Sequence, residues 1–346
     1  MNDYFRNVHS QTDSRMWINN PTPEEIELAL GEDAFGCTTN PAYCSRLIKE
    51  DQDYVDGVID GLTGDIKDYD LLASEVHRIC VKRVMDAFMP VYEKSGGTKG
   101  FVTLQDDPRY DHDAGFIIGS LEINKKLAPN YMAKIPVIEG GIQAIEECVR
   151  QNIPICATEV FAISQALCIA ERYVKACERY GNAPPIFITH ITGIFDEYLK
   201  VTAMRDGIGI APEIIDQAGI CVARKEFRLF RELGYNVTMM GGGARGPHHF
   251  TEIVGGPHIT INWSTVREIL DGGYEASETV EGETPEDVFA ELSEKLPDFR
   301  LAYDDDGLSA EEFAGYGPVQ LFRNMFIRGW HLLLAQIAYR KHMGAR

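Results

Sequence analysis

A lysine stands in the middle of Tyr131-Met132-Ala133-Lys134-Ile135-Pro136, a run whose other side chains suit a buried strand. Burying an ammonium without a partner costs several kcal/mol, and the usual relief is a depressed pKa that leaves the amine neutral. A neutral amine is a nucleophile. It can condense with a ketone or aldehyde to a Schiff base, and the protonated imine then acts as an electron sink for breaking or making the adjacent carbon–carbon bond. The plainer reading is a lysine at a strand end, its stem buried and its head in water or paired with a carboxylate.

Positioning such an amine requires a rigid wall, and the pattern of the chain describes one. Short apolar runs alternate with longer amphipathic ones up to residue 270, the pattern of repeated βα units around a parallel sheet. The candidate strands are 16–19, 35–39, 100–105, 131–136, 153–158, 186–191, 236–241 and 258–261. Helical patterns fall at 23–30, 55–65 with 71–88, 116–127, 139–151, 163–180, 213–233, 247–253 and 264–270, and an apolar helix is expected over 318–341. Eight strands, each followed by a helix, predict an α/β fold, a (β/α)8 TIM barrel with a C-terminal helical extension and its chemistry at the carboxyl ends of the strands. A doubly wound open sheet is the runner-up. No G-x-G-x-x-G follows the first strand and no G-x-x-x-x-G-K-[ST] occurs anywhere, so the nucleotide-binding fingerprints that would support it are missing.

The organisation expected is a barrel domain over 1–270, an acidic loop-rich segment over 271–313, and a C-terminal helix within 314–346 that packs on the barrel or on a neighbouring subunit. Most of the chain's formal net charge of −20 sits in the middle segment, where fifteen Asp and Glu face only Lys295 and Arg300. Such a balance argues against nucleic-acid and anionic-membrane partners. No apolar run approaches the ~18 residues of a membrane span, and the first residues lack the apolar core of a signal peptide. A cytoplasmic protein is expected. Eight scattered cysteines without a C-x-x-C pair read as reduced core thiols.

Four stretches occur together in order. Lys134-Ile135-Pro136 followed by Gly140-Gly141-Ile142, then Thr158 through Phe161 to Gln165-Ala166, resemble the transaldolase family at its fourth and fifth strands. Thr38-Thr39-Asn40-Pro41 resembles the family's T-T-N-P, and Met240-Gly241-Gly242-Gly243-Ala244-Arg245 its M-G-A-S-F-R. The resemblance runs over residues 16 to 262. It implies a Schiff-base lysine at Lys134, no cofactor and no metal, Thr39 and Asn40 lining a sugar cleft, and Thr158 placing a water for proton transfer. Transaldolases move a dihydroxyacetone unit between sugar phosphates, a step of the pentose phosphate pathway, and the related fructose-6-phosphate aldolases release it. The family also implies a homo-oligomer.

The acid–base positions depart from that pattern. The strand-one Asp of the family aligns with Asn19, which can orient a hydroxyl but not titrate. The strand-three Glu aligns with Gln105, as in the aldolase branch, and the strand-six aromatic aligns with Ile191. Thr189 matches a small polar family residue that touches substrate. Of two family arginines that hold phosphate, one falls near Ile194 and is missing, while Arg245 remains as an anion contact. Replacement groups are Asp106, Asp107, Glu159, His190, His248 and His249. Strand alternation would turn Glu159 outward, away from the cleft, unless the strand has already ended, and His190 beside Thr189 stands in the same position. Two other readings stand beside a sugar-cleaving or sugar-transferring enzyme. One is a barrel that binds sugars without turnover. The other is a metal-dependent lyase built on His190, His248, His249 and nearby Asp residues.

Overall fold

Strand Tyr131–Pro136 is buried at every position, and its neighbours are equally short and apolar, so both faces must be covered. A parallel sheet with helices outside and a packed interior does this. In the computed structural model, which describes residues 3–344, the strands are β1 Arg15–Asn19, β2 Gly36–Thr38, β3 Val102–Leu104, β4 Tyr131–Pro136, β5 Ile155–Val160, β6 Ile186–Ile191, β7 Thr238–Gly242 and β8 His258–Ile261. They pair in chain order, all parallel, and β1 closes on β8 through Trp17 opposite Thr260 and Ile18 opposite Ile261. This is the closed (β/α)8 barrel, not the open sheet.

Inside, Trp17, Phe101, Met132, Cys156, Phe187 and Met240 form an apolar cluster of their own. Gly36 permits it: a Cβ there would meet the Trp17 ring at 2.6 Å. Side chains alternate along a strand, so the residues two positions further share the inward face. They are Asn19, Thr103, Lys134, Thr158, Thr189 and Gly242. The plug of large side chains thus ends where the polar layer begins, and Lys134 stands on that boundary.

The helix Glu139–Gln151 starts directly after β4, and a Cβ on its Gly141 would lie 1.8 Å from the Pro136 carbonyl oxygen. That close approach fixes the end of the strand that carries Lys134. Between β6 and β7 the structure has a helix Thr192–Asp206 that the sequence pattern did not suggest, because its apolar residues are spread around its circumference. The acidic segment is also more regular than expected. Helices Glu286–Lys295 and Pro297–Tyr303 bury Leu292, Leu296, Phe299 and Ala302 and leave most of their carboxylates to water.

The last helix, Gly317–Gly344, packs across the helices that follow β2 and β6 and reaches β5, bringing Phe322, Met325 and Phe326 to the mouth of the barrel. Residues 345–346 of the expected C-terminal segment lie outside the described residues. Arg323 of this helix grips Asp111 with two guanidinium hydrogen bonds, and Trp330 meets the His77 ring edge-on at 5.4 Å. Among the described residues no helix is long and apolar enough to cross a membrane.

Candidate active site

A cavity of about 550 Å³ opens at the carboxyl ends of the strands. Lys134 lies in its wall. The lysine is 8% exposed, and its Nζ donates to the Thr39 carbonyl at 3.2 Å. The Phe326 ring of the last helix stands 5.6 Å from the same nitrogen. Among the described residues no carboxylate comes within ion-pairing distance of it. Burial therefore pushes the Lys134 pKa below the ordinary lysine value, against weaker opposing pulls from Cys156, Glu159 and Cys37. The snorkelling or ion-paired lysine of the plainer reading is not what the fold builds.

Asn19, Asn40, Thr158, Thr189 and Arg245 share that cavity with Lys134. Asn19 is held from both ends: its amide nitrogen donates to Asn262 Oδ1 at 2.9 Å, and its oxygen accepts from Thr38 Oγ1 at 3.0 Å. Asn40 is fixed by Asn20, whose Oδ1 accepts from the Asn40 backbone at 3.1 Å. The Thr189 and Cys156 side chains touch at 3.3 Å. Arg245 sits at the rim, where Nε donates to Glu197 at 2.6 Å. Ile191 and Ile194 line the wall as apolar residues.

Two expected residues are placed differently. The Thr39 hydroxyl is turned back onto the Thr103 carbonyl, and the Thr39 backbone nitrogen donates to Thr103 Oγ1 at 2.9 Å, so only its carbonyl serves the site. Gln105 does not line the main cavity. It borders a second one of about 20 Å³, the size of a single water, which also touches Lys134.

Glu159 lies where β5 is irregular and simple alternation does not apply. The β5–β6 register slips between Ala157 and Val160, and Glu159 takes a left-handed backbone with φ of 61°. A non-glycine residue pays roughly 1–3 kcal/mol for such a conformation and keeps it only where its surroundings demand it. Its side chain is fully buried, with Oε1 accepting from Gln105 Nε2 at 3.1 Å. Burial raises its pKa to about 8, with Asp111 adding to the rise and Arg323, Gln105 and Lys134 opposing it.

The remaining titratable candidates are engaged elsewhere. Asp106 binds Arg78 and Asn124, and Asp107 binds Arg109. His190 does point outward, as alternation predicts, and lies 3.2 Å from the buried Glu226 behind the wall. His249 bonds Asp196 at 2.8 Å and accepts the Arg245 backbone N–H at 3.3 Å, with the His248 ring centroid 3.8 Å away. Asp196, His248 and His249 bring three donor atoms within 4.8 Å of one another. His190 is on the other side of the sheet, so the histidine set expected for a metal site does not converge. Both His249 nitrogens and both Asp196 oxygens already have protein partners.

Sequence reasoning missed several lining groups. Thr38, Thr260, Asn262 and Ser264 add hydroxyl and amide groups to the wall, and Thr38 and Thr260 meet at 2.6 Å. Their signal was the polar residue at the end of an apolar strand, which marks Thr38 on β2 and Asn262 after β8. Phe322 and Phe326 gave no such signal, because an apolar helix does not show which structure it will cover.

The chain resembles known proteins along most of its length. It matches the Transaldolase/Fructose-6-phosphate aldolase family over residues 16–312. A transaldolase of Mycobacterium tuberculosis (strain ATCC 25618 / H37Rv) is 25% identical over 291 residues, 74% of this chain and 76% of that protein. A transaldolase of Mycobacterium ulcerans (strain Agy99) is 25% identical over 219 residues; the match takes in 60% of this chain and spans 57% of that protein's length. A solved 2,3-dimethylmalate lyase covers 93% of this chain and is itself covered to 96%, but a TM-score of 0.30 at 12% identity carries no argument. With an unpaired lysine on the fourth strand of a closed eight-stranded barrel, and a match extending from the first strand into the acidic segment, the chain belongs to the transaldolase/fructose-6-phosphate aldolase family.

Proposed function

We propose that the protein is a class I aldolase or transaldolase that forms a Schiff base between Lys134 and a ketose-type sugar or sugar phosphate. The observation that carries this reading is the amine itself: buried, bonded only to a neutral carbonyl, and at the wall of a cavity large enough for a sugar. The uncharged Nζ adds to the ketone carbon, and the carbinolamine takes up a proton and loses water to give an iminium. The hydroxyl on the fourth sugar carbon then passes its proton to solvent water, the bond between the third and fourth carbons breaks with its electron pair drawn into the iminium, and an aldehyde is released while a dihydroxyacetone-like enamine stays on the lysine. The enamine either attacks a second aldehyde, giving transfer, or is protonated and hydrolysed.

The wall suits a polyol. Asn19, Thr38, Asn40, Thr158, Thr189 and Thr260 offer neutral donors and acceptors that can exchange bonds with sugar hydroxyls without a fixed charge to desolvate. The apolar plug below and the Phe322 and Phe326 rings above limit water near the enamine. At the rim, Arg46, Lys49 and Arg245 are set among Glu25, Glu50 and Glu197, a balanced field that tolerates a phosphate without depending on one.

The test is turnover. Wild-type protein given a panel of ketoses and ketose phosphates, with and without an aldehyde acceptor, should release an aldehyde or yield a new ketose, and Lys134→Met should do neither. Asn19, locked between Thr38 and Asn262, is the observation that favours a barrel that binds sugars without cleaving them. Sugar binding that is unchanged in Lys134→Met, with no product from the wild type, would establish that second reading instead.

A further inference from the structure

Imine chemistry inside a dry wall raises a charge problem. A neutral amine and a neutral ketone become a cationic iminium, and a buried cation requires a counter-charge. The carboxylates near Lys134 are mostly committed. Asp111 is gripped by Arg323, Asp107 by Arg109, and Asp106 by Arg78. Glu159 is different: its one side-chain partner is the neutral amide of Gln105, and it lies within electrostatic reach of Lys134. Its Oε2, the Gln105 Oε1 and the Thr158 Oγ1 are all buried without a hydrogen-bond partner among the described residues. Gln105, the partner of Glu159, borders a cavity one water in size that touches Lys134, and Thr158 lines the main cavity with Lys134, so unpaired polar atoms flank the lysine on both sides of Glu159 and mark a place prepared to move a proton or a water. Glu159 takes a left-handed backbone at this point, the irregular end of β5.

Resting on the Schiff-base reading of Lys134, we propose that Glu159 gives and takes back the proton of imine formation and that its carboxylate is the counter-ion of the iminium. The carbinolamine formed by Lys134 carries a hydroxyl that must leave as water. The protonated Glu159 carboxyl gives its proton to that hydroxyl, the carbon–oxygen bond breaks, and the nitrogen lone pair forms the C=N bond. The products are water, an iminium cation and the Glu159 carboxylate, so the net charge inside the wall is unchanged. Hydrolysis runs the same steps backward. The groups facing Glu159 are Gln105 from β3's end, Asp111 from the loop after β3, Lys134 from β4 and Arg323 from the last helix; burial outweighs their sum and keeps the resting carboxyl protonated at neutral pH. The missing acid on strand three is thus replaced from strand five across a single hydrogen bond, from Glu159 to Gln105.

The experiment follows the adduct that dihydroxyacetone forms on the protein, quenched with borohydride at timed intervals and read by intact mass. Glu159→Gln should slow adduct formation by about 100-fold or more, the scale of a general acid, and should remove the fall in rate that the wild type shows as pH rises past neutrality. Moving the carboxyl back across the hydrogen bond, in Gln105→Glu/Glu159→Gln, should recover at least about tenfold over the single variant. Wild-type rates in Glu159→Gln, or a double variant no faster than the single, would overturn the role of Glu159 while leaving Lys134 intact. No adduct in the wild type would instead overturn the Schiff-base reading and this inference with it.

Discussion

Replacing Arg323 by Met removes the cation that ties the last helix to the barrel rim. The guanidinium holds both oxygens of Asp111, one of them at 2.9 Å from Nε, and the Asp111 residue is only 4% exposed. Removing one partner of a buried pair leaves the other charge uncompensated, which costs about 3–5 kcal/mol. Arg323 itself retains 20% side-chain exposure, so water screens part of the loss and the low end, about 3 kcal/mol, is expected. The sign of the pH effect follows from Asp111. Burial pushes its carboxyl above the ordinary value and Arg323 pulls it back, so without the arginine the folded state binds a proton more tightly than the unfolded one. The variant should therefore regain stability as pH falls, and its deficit against wild type should be smaller at pH 5 than at pH 8. Urea unfolding at both values measures this directly. Asp111→Asn/Arg323→Met should be more stable than the single variant by at least about 1 kcal/mol, because the stranded charge is gone. A deficit below about 1 kcal/mol at pH 8, the same deficit at both pH values, or a double variant no better than the single would refute the reasoning.

Lys134→Met should raise stability at pH 7 by about 0.5–2 kcal/mol, since a thioether fills the wall without the desolvation that lowers the lysine pKa; a loss of stability by thermal melting would contradict a strained amine. Glu159→Gln isolates a second linkage. With the folded carboxyl near 8 and the ordinary one at 4.5, the wild type holds a proton that the unfolded chain has lost, so its stability relative to the variant should fall by up to about 1.4 kcal/mol per unit between pH 5 and 8, and a flat difference in denaturation titrations would count against the raised value. Gly141→Ala places a methyl 1.8 Å from the Pro136 carbonyl oxygen, a backbone atom that cannot swing away; the helix start must shift, costing at least about 1–3 kcal/mol, and an unchanged melting temperature would show that β4's end is not fixed there.

The barrel was legible because its strands are short apolar runs with turn residues between them, a pattern that survives without any tertiary information. β4, β6 and β8 fall where the runs at 131–136, 186–191 and 258–261 place them. The helix Thr192–Asp206 was not legible, since its first turn buries Gly193, Ile194, Phe195 and Asp196 in succession and so shows no single apolar stripe. In the acidic segment, charge obscured the spacing of Leu292, Leu296 and Phe299 that anchors two short helices. Lys134 stood out as the one charged residue in its strand. Alternation was a poor guide at Glu159 because it holds only while the ladder is regular, and the register slip beside it is a property of the paired strands, not of either one alone. Thr39 was expected to line the cleft, and its contact with Lys134 is made by its carbonyl.

The claim on which the account depends is that Lys134 carries a reactive neutral amine. Wild-type protein incubated with dihydroxyacetone, reduced with borohydride and digested should carry the three-carbon adduct on the peptide containing Lys134, with the other lysines unlabelled at the same exposure. Label spread over the surface lysines, with the Lys134 peptide unmodified, would contradict it.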